Sequence, residues 1–362
     1  MTGMRVGLVI YGSLDTVSGG YLYDGQLVNA LSDAGDQVDV ISLPTRAYVK
    51  SLADNWSADW RRRMNRGYDV LLQDELNHPS LAWANGWLGS DRPPIVAIVH
   101  HLRSSESRPA WQNQLYYRVE RRYLNSADAF IYNSHTTQQA VERALNNGRP
   151  SIVAYPGKDR LSGFGPTDYQ PLRLTNSPLR LLYVGNLIPR KGLHVLLRAL
   201  SQVSSDCRLR IVGSPAVDPA YAHKLHEAVL RLELADRVIW CGALDDRELA
   251  AEMAAADVLA MPSEYEGFGI VYLEGMGFGL PALATTAGAA SEIISDGVNG
   301  FLVPPGDAAA LAGCIEALAA ERGLLARLSE AALARYAAFP TWAASTGAIR
   351  AFMLDVAQRE RT

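Results

Sequence analysis

Short apolar runs of strand type alternate with longer segments of helical periodicity along most of this chain. Tyr23, Leu27 and Leu31 recur at helical spacing between the first two runs, and Gly35 then follows as a natural helix terminator. The apolar runs of the first half are Val6 to Tyr11, Val38 to Ser42, Asp69 to Leu72, Ile95 to Val99 and Ala129 to Tyr132. Strands that alternate with helices form parallel sheets, so we predict a doubly wound α/β fold.

The alternation stops between residues 155 and 178 and then restarts. That segment is rich in Pro, Gly, Ser and Thr and has no period, which is typical of a linker. The later apolar runs are Arg180 to Val184, Leu209 to Val212, Arg237 to Trp240, Val258 to Met261 and Ala282 to Thr285. The chain of 362 residues is also long enough for two cores. We therefore predict two Rossmann-like domains facing across a cleft, 1–165 and 175–340, with a terminal helix at 341–362 joined to the first.

Composition narrows the class of protein. The chain is 48% hydrophobic and 20% charged with a net charge of -4, which argues against a nucleic-acid partner. Cys207, Cys241 and Cys314 are widely spaced and form no CxxC pair, which indicates a reducing compartment and no structural zinc. No run approaches the roughly 20 apolar residues of a membrane helix. We expect a cytoplasmic protein.

The segment "LLYVGNLIPRKGLHVLLRAL", residues 181–200, places two cations beside the start of a helix. A strand ends at Gly185, Arg190 and Lys191 follow in a short loop, and Gly192 precedes the helix. A helix N-terminus offers unpaired N–H groups and a partial positive charge, so this arrangement suits a diphosphate. Taken alone, the pair also fits a solvated turn.

The segment "PSEYEGFGIVYLEGMGFGLP", residues 262–281, carries two glutamates eight positions apart. Gly267 and Gly269 free the backbone to approach a ligand, and a helix from about Gly269 would carry Glu274 on its second turn. Such a pair can hydrolyse a glycosidic bond, bind a metal, hold hydroxyl groups or face water. Glycosidase carboxylates flank the scissile bond, whereas these two belong to one loop and helix, so we do not assign Glu266 as a covalent nucleophile.

A resemblance emerges from these motifs together. "VGNLIPRKG", "PSEYEGFGIVYLEGMGFGLPALATTAG" and "DGVNGFLVPPGD" resemble the signature of glycosyltransferase family 4, retaining enzymes of the GT-B fold. "SGG", "GYDVLLQDE", "IVAIVHHLRS" and "AFIYNSHTTQQAV" match the order of elements in the family's N-terminal half. Gly275 stands where Ala is common, and Asp159 lies in "YPGKD" instead of the more usual "NGVD". His101 replaces an acidic residue after His100, which leaves open which histidine is functional.

The resemblance implies roles for individual residues. Arg190 and Lys191 would hold the diphosphate of a nucleotide-sugar donor and stabilise the charge that develops as it leaves. Glu274 would bind the ribose and Glu266 the transferred sugar, which His100 would meet across the cleft. The expected catalytic residues are His100, Arg190, Lys191 and Glu266. The expected donor-binding residues are Gly19, Gly20, Gly185, Arg190, Lys191, Cys241, Ala243, Leu244, Glu266, Gly267, Phe268, Gly269, Ile270 and Glu274.

Within that set, three groups act through the backbone. Gly19 and Gly20 would let the first loop approach the phosphate or the acceptor. The N–H groups of Phe268, Gly269 and Ile270 would help Glu266 to bind the sugar. The nucleotide base would lie near the strand end at residues 240–244.

The activity implied is transfer of a hexose from a UDP- or GDP-sugar to a hydroxyl of a lipid-linked or glycan acceptor, with retention of configuration. The nucleotide sugar is a substrate, so no cofactor is expected. No Asp-x-Asp motif is present, and His223 and His226 lack a further ligand nearby, so no metal is expected. Two alternatives stay open. One is an epimerase or phosphorylase of the same shape, and the other is a catalytically silent nucleotide-sugar-binding protein.

Two stretches of the first half, 46–66 and 92–122, are basic and aromatic. Each has a net charge of about +4 and carries Trp or Tyr residues. Such segments suit an anionic leaflet, and peripheral contact with the inner face of the membrane is a hypothesis that follows. A solvated face with core aromatics explains the same pattern.

Overall fold

The computed structural model describes residues 3–106, 108–145, 148–164 and 178–359. The chain forms two compact units, the first from Met1–Gly157 with Pro340–Thr362 and the second from Lys158–Phe339. The predicted first domain ended at 165, whereas residues 158–164 belong to the second unit. Lys158 explains part of this difference, because its Nζ donates to the carbonyl of Ala337 at 2.6 Å. The greater part of the predicted linker, 165–177, lies outside the described residues.

The first unit is built on a parallel sheet of six described strands in the order β2-β1-β3-β4-β5-β6. These strands are β1 Arg5–Tyr11, β2 Gln37–Leu43, β3 Val70–Asp74, β4 Ile95–Val99, β5 Ala129–Tyr132 and β6 Ser151–Val153. The first five lie where the apolar runs predicted them. The sequence prediction missed β6, which has three half-buried residues and therefore no apolar run.

Helices cover both faces of this sheet. They are α1 Gly19–Asp33, α2 Tyr48–Ser51, α3 Ala58–Met64, α4 His78–Leu81, α5 Ala110–Leu124, α6 His135–Leu145 and, numbered in chain order, α13 Trp342–Arg359. Alternate residues of each strand point to opposite faces, so Leu8 and Val9 enter two separate apolar clusters. Helix α13 belongs to the cluster that holds α1, and Arg350 Nε donates to Asp36 Oδ2 at 2.6 Å.

The second unit has another parallel sheet of six described strands, in the order β12-β11-β10-β7-β8-β9. These strands are β7 Leu179–Val184, β8 Cys207–Val212, β9 Val238–Gly242, β10 Val258–Ala260, β11 Ala282–Thr285 and β12 Gly300–Val303. From β7 the chain first builds outward through β8 and β9, and then continues on the other side of β7 with β10. Ligands of such sheets bind at the carboxyl ends of the strands where the order reverses, which here is between β7 and β10.

The helices of the second unit are α7 Leu193–Leu200, α8 Pro219–Arg231, α9 Asp246–Ala255, α10 Ile270–Gly277, α11 Ala308–Ala320 and α12 Arg322–Ala338. Helix α9 begins with a capping box formed by Asp245 and Glu248. Glu248 N donates to Asp245 Oδ1 at 2.8 Å, and Asp245 N donates to Glu248 Oε2 at 3.1 Å. Among the described residues, no helix combines the length and the apolar character needed to cross a membrane.

Candidate functional site

The loop after β7 and the loop after β10 meet at the switch point of the second sheet. Gly192 ends the first loop with a φ of 71°, and a Cβ there would lie 2.0 Å from the carbonyl oxygen of Pro262. Only glycine allows both that conformation and that approach. Glu264 N also donates to the carbonyl of Arg190 at 2.8 Å. The turn that carries the two predicted cations is therefore fixed against the loop that carries Glu266.

Three of the predicted catalytic residues come together at this junction. Lys191 Nζ donates to Glu266 Oε1 at 2.6 Å, and Ser263 Oγ donates to the same oxygen at 2.7 Å. Arg190 Nη1 donates to the carbonyl of Tyr265 at 2.7 Å and lies 4.0 Å from Glu266 Oε2. Residues 75 positions apart in the chain thus form one charged cluster.

The charge state of Glu266 follows from its surroundings. Burial by itself would raise the pKa of this carboxyl, whose residue is 7% exposed. The positive charges of Lys191 and Arg190 and the hydrogen bonds from Lys191 and Ser263 outweigh burial, so the pKa is lowered. The carboxylate is therefore ionised at neutral pH, and two cations with one anion leave the cluster with a net positive charge.

Helix α10 begins beside this cluster. Gly269 is its N-cap with a φ of 93°, and a Cβ there would lie 2.4 Å from the ring of Tyr272. Tyr272 is fixed in turn, because its hydroxyl donates to the carbonyl of Met261 at 2.8 Å. The first amides of the helix, including that of Ile270, have no carbonyl four residues earlier within the helix to bond. They add a partial positive charge close to Glu266.

Glu274 lies on the second turn of α10, as the sequence predicted, and is 5% exposed. The alternative in which it faces solvent is therefore wrong. Its Oε1 accepts a hydrogen bond from Arg160 Nε at 2.6 Å, and Arg160 also pairs with Asp246. Sequence reasoning missed Arg160, because it stands in a segment without period and 114 residues from its partner.

Gly275 lies on the same helix, at the position where Ala is common in the family it resembles. A Cβ on Gly275 would lie 3.1 Å from Leu259 Cδ2 in β10, which is tighter than most carbon contacts. Glycine thus permits α10 to pack closely against a strand that carries leucine at this point.

The remaining donor-binding residues predicted in the second unit lie at the carboxyl ends of strands. Gly185 follows β7 and donates its N–H to Val212 at 2.9 Å. Cys241 lies in β9 and is half-buried, which raises the pKa of its thiol. Ala243 and Leu244 follow β9, and Ala243 is exposed. Because the sheet is parallel, these strand ends share one edge with Lys191.

In the first unit, the two candidate histidines differ in their surroundings. His100 follows β4, is 7% exposed, and has its Nε2 3.3 Å from Asp24 Oδ1. The ring of Tyr23 meets it edge-on at 5.3 Å. His101 is less buried and has its Nε2 2.9 Å from Glu106 Oε1.

The glycines before His100 begin the first helix. Gly19 is the first residue of α1, which is capped by Ser18. A Cβ on Gly20 would lie 3.1 Å from His100 Cδ2, so the glycine leaves room for the imidazole ring. The sequence did not predict this contact, because 80 positions separate the two residues.

Comparison with known proteins matches both units. Residues 23–160 match the family described as Glycosyltransferase Family 4, and residues 167–335 match the family described as Glycosyl transferases group 1. A D-inositol 3-phosphate glycosyltransferase from Xylanimonas cellulosilytica is 30% identical over 286 residues, which are 74% of this chain and 67% of that protein. The chain belongs to glycosyltransferase family 4.

A second relative, the D-inositol 3-phosphate glycosyltransferase of Streptomyces bingchenggensis, is 31% identical over 289 residues. The match covers 74% of this chain and 62% of that protein. The chain thus spans about two thirds of the length of these curated relatives.

Solved structures confirm the predicted fold class. A sucrose-phosphate synthase from Thermosynechococcus elongatus matches with a TM-score of 0.80 and 24% identity, covering 99% of this chain and 98% of that one. The Anabaena protein HepE, solved in complex with UDP and glucose, matches with a TM-score of 0.76 and 23% identity over 97% of this chain and 100% of that one. The family 4 chain is a GT-B glycosyltransferase with two Rossmann-like units.

The first basic stretch, 46–66, is partly neutralised and partly buried in this glycosyltransferase. Arg46 Nη1 lies 2.6 Å from Asp54 Oδ1, and Trp60 packs against the apolar core. Trp56 remains 62% exposed.

Within the described part of the second basic stretch, 92–106 and 108–122, two of the six arginines pair with acids. Arg92 bonds Asp128 through both oxygens, and Arg108 Nη2 lies 2.5 Å from Glu106 Oε2. Other residues of α5 point outward, and we call them the α5 outer face: Trp111, Leu115, Tyr117, Arg118 and Arg121. Trp111 is 71% exposed. The paired arginines therefore need no membrane partner to explain them. The α5 outer face remains as a smaller basic and aromatic surface.

His223 and His226 are exposed on α8. His223 Nε2 lies 3.4 Å from Glu227 Oε1, and the His226 ring stacks on Trp240 at 4.1 Å. Two buried groups of acids with a histidine were not predicted. They are Asp24, Asp74 and His100, and Glu75, His78 and Glu120. Each joins residues distant in sequence. The available signal was the polar tripeptide Gln73 to Glu75, with two acids at the end of a buried strand.

Proposed function

We propose that this family 4 glycosyltransferase transfers a hexose from a UDP- or GDP-sugar to a hydroxyl of a glycan or lipid-linked acceptor, with retention of configuration. The ion pair of Lys191 and Glu266, with Arg190 beside it at the start of α10, is the observation that carries the proposal. The solved complexes of HepE with UDP and with UDP-glucose support a uridine nucleotide among the candidate donors.

The proposed role of Arg190 and Lys191 is electrostatic. A departing nucleoside diphosphate gains negative charge in the transition state, and fixed cations stabilise that charge without reorganising solvent. Arg190 can bind phosphate oxygens through two N–H groups, while Lys191 acts as a point charge. With these charges in place we propose that transfer needs neither a metal ion nor a cofactor.

The two glutamates would bind hydroxyl groups. Glu266 is ionised, so it accepts hydrogen bonds and has no proton to give to a leaving group. In the proposed reaction the acceptor attacks the face from which the diphosphate departs, and the departing phosphate oxygen takes the acceptor's proton. Glu274 would accept hydrogen bonds from the ribose, and it would share its carboxylate with Arg160. His100 of the first unit would bind a substrate hydroxyl.

The proposal is tested by incubating the protein with a panel of UDP- and GDP-hexoses and measuring both thermal stability and release of free nucleotide. At a ligand concentration 100 times the dissociation constant, a bound donor stabilises the fold by about 2.7 kcal/mol. We expect stabilisation and nucleotide release with the same donor. Stabilisation by no donor would contradict the proposal, and stabilisation without release under any acceptor would favour a silent binding protein.

Site variants sharpen this test. Lys191→Ala and Glu266→Ala should each lower turnover by at least 100-fold, since a single preorganised charge contributes roughly 3 kcal/mol to a transition state. Arg198→Ala removes an exposed arginine of α7 and serves as a control that should retain full turnover. Near wild-type rates in either site variant would refute the assignment of the site.

We also propose that the α5 outer face contacts an anionic membrane surface, which would suit a lipid-linked acceptor. Exposed aromatic side chains next to arginines favour the interface of an anionic leaflet. Arg118→Glu with Arg121→Glu should weaken co-sedimentation with phosphatidylglycerol vesicles at low salt by at least about 30-fold, because each basic residue removed contributes about 1 kcal/mol and the new carboxylates add repulsion. The matched control changes Arg198 and Arg231, two exposed arginines of the second unit, in the same way. Equal binding by both double variants, or none by wild type, would contradict membrane contact.

A further inference from the structure

Three buried ionisable groups meet at the carboxyl edge of the first sheet. Asp24 lies in α1, Asp74 ends β3, and His100 follows β4. Both aspartates are fully buried, and one ligand atom from each of the three residues lies within 4.8 Å of the others. The order of this sheet reverses between β1 and β3, so α1 and the end of β3 flank the switch point of the first unit.

The two aspartates have unused hydrogen-bonding capacity. Asp24 Oδ1 lies 3.3 Å from His100 Nε2, and Asp74 Oδ1 accepts from Leu76 N at 2.9 Å. The Oδ2 atoms of both aspartates have no hydrogen-bond partner within the described structure. Two buried carboxylates this close to each other repel, and one of them gains a proton to relieve the repulsion. A shared proton would give each orphaned oxygen a partner.

The direction of the pKa shifts agrees with this geometry. Burial raises the pKa of Asp74 to about 7, and the charge of Asp24 acts in the same direction. Burial alone would lower the pKa of His100, but the hydrogen bond and the charge of Asp24 outweigh burial and raise it. One proton on the two aspartates together with a protonated His100 would leave the three residues with no net charge.

Other titratable groups around the three residues do not disturb this balance. Tyr21 and Tyr23 of α1 and Tyr123 of α5 face the aspartates, and burial keeps the pKa of each phenol raised and the phenol neutral. Glu75 lies next to Asp74, and burial raises its pKa well above the ordinary value. Among the described residues, His100 is the titratable nitrogen group that lies within 4.8 Å of both aspartates.

We propose that Asp24 and Asp74 share one proton and act as positioning residues that hold His100 protonated, with Nε2 directed to Asp24 and Nδ1 left for a substrate hydroxyl. The assignment of a substrate contact to His100 rests on the proposed function. The pairing itself depends on burial and distance alone. To bind one substrate hydroxyl in one orientation, an imidazole must be held in a fixed position with its proton on a defined nitrogen.

A divalent metal ion is the competing occupant, since two carboxylates and an imidazole also form a metal site. A metal would require the neutral imidazole, whereas the proposal requires a protonated one, so the two occupants exclude each other. Metal binding is therefore kept as an outcome that would overturn the proposal.

The first experiment follows the His100 ring by nitrogen-15 NMR from pH 5 to 9 in wild type and in Asp24→Asn, with the signal assigned by His100→Gln. We expect His100 to stay protonated above pH 6.5 in wild type and its apparent pKa to fall by at least one unit in Asp24→Asn. The His101 signal, whose partner is Glu106, should not move and serves as the internal control. Equal titration of His100 in both proteins would overturn the proposal.

The second experiment uses the alkaline limb of the pH profile for nucleotide release. Asp74→Asn removes the group that shares the proton, so the limb near pH 7 should shift by at least half a unit while KM for the donor stays within threefold. Asp24→Asn should lower kcat about tenfold. An unchanged profile in Asp74→Asn and an unchanged kcat in Asp24→Asn would together overturn the positioning role.

Two further outcomes separate the hypotheses. The proposal would be overturned if wild type bound Mn²⁺ or Zn²⁺ stoichiometrically and Asp74→Asn did not. That result would show that a metal ion, not a shared proton, lies between the aspartates. If wild type releases no nucleotide from any donor while His100 still responds to Asp24→Asn, the proposed function fails and the proton-sharing pair stands. The Asp→Asn changes keep the side-chain shape, and a melting curve for each variant verifies that it is folded.

Discussion

Replacing Lys191, the positive partner of Glu266, by methionine should destabilise the second unit. The loss of unfolding free energy can be estimated from the surroundings of the ion pair. The side chains of Lys191 and Glu266 are 19% and 8% exposed. Lys191→Met therefore leaves the Glu266 carboxylate nearly buried and without its nearest positive charge. Breaking a buried ion pair from one side costs about 3 to 5 kcal/mol. Ser263 and the guanidinium of Arg190 at 4.0 Å remain, so we expect about 2 to 3 kcal/mol.

The stability difference between wild type and Lys191→Met should depend on pH. The pKa of Glu266 is lowered in the folded protein, so the stability it contributes is present above the unfolded pKa and is lost as the pH falls through the folded pKa. Wild type should therefore lose stability below about pH 4.5, the ordinary range of a glutamate. Lys191→Met has less of this stability to lose, so the gap between the two proteins should narrow on acidification.

Urea unfolding monitored by circular dichroism at pH 7 and pH 4 measures both effects. Thermal unfolding at pH 7 should show a Tm lower by roughly 4 to 12 °C. The double variant Lys191→Met with Glu266→Gln removes the stranded charge and should recover most of the loss. A single variant as stable as wild type, or a double variant less stable than the single one, would refute the reasoning.

Three further predictions concern neighbouring groups. Gly192→Ala should lose more than about 1 kcal/mol of unfolding free energy, because alanine at positive φ is strained and its Cβ meets a carbonyl; an unchanged urea midpoint would contradict it. Arg160→Ala should raise donor KM about tenfold and leave kcat within threefold, since Glu274 is assigned to the ribose; in steady-state kinetics a fall in kcat alone would count against that role. Gly20→Ala should lower kcat about tenfold without unfolding, because His100 must move by a few tenths of an ångström; an unchanged kcat would exclude a need for that ring position.

Most of the strands and loops that the sequence predicted correctly follow from local patterns of residues. Strands β1 and β4 are buried on both faces and read as continuous apolar runs, so their positions followed from sequence alone. The turn at Lys191 and the loop at Glu266 were predictable because each joins a strand end to a helix start. The strand β12 was missed, since two of its four residues are only half-buried and it opens with glycine.

The features that the sequence did not predict depend on contacts between residues far apart in the chain, which sequence spacing does not reveal. Arg160 was assigned to a linker because its segment has no period, yet its guanidinium bonds Glu274. The contact of His100 with Asp24 joins residues 76 positions apart. Both pairs depend on how the chain returns to the same sheet edge, which periodicity within one segment does not encode.

Helix α13 makes the first unit discontinuous in the order of synthesis. Trp342, Ile349 and Met353 complete an apolar cluster begun by β1 and α1, more than 300 residues earlier in the chain. On a ribosome the second unit has all its residues available first. The part of one sheet face that α13 covers stays exposed until that helix has been made, so the first unit cannot complete its folding before the second unit has been synthesised.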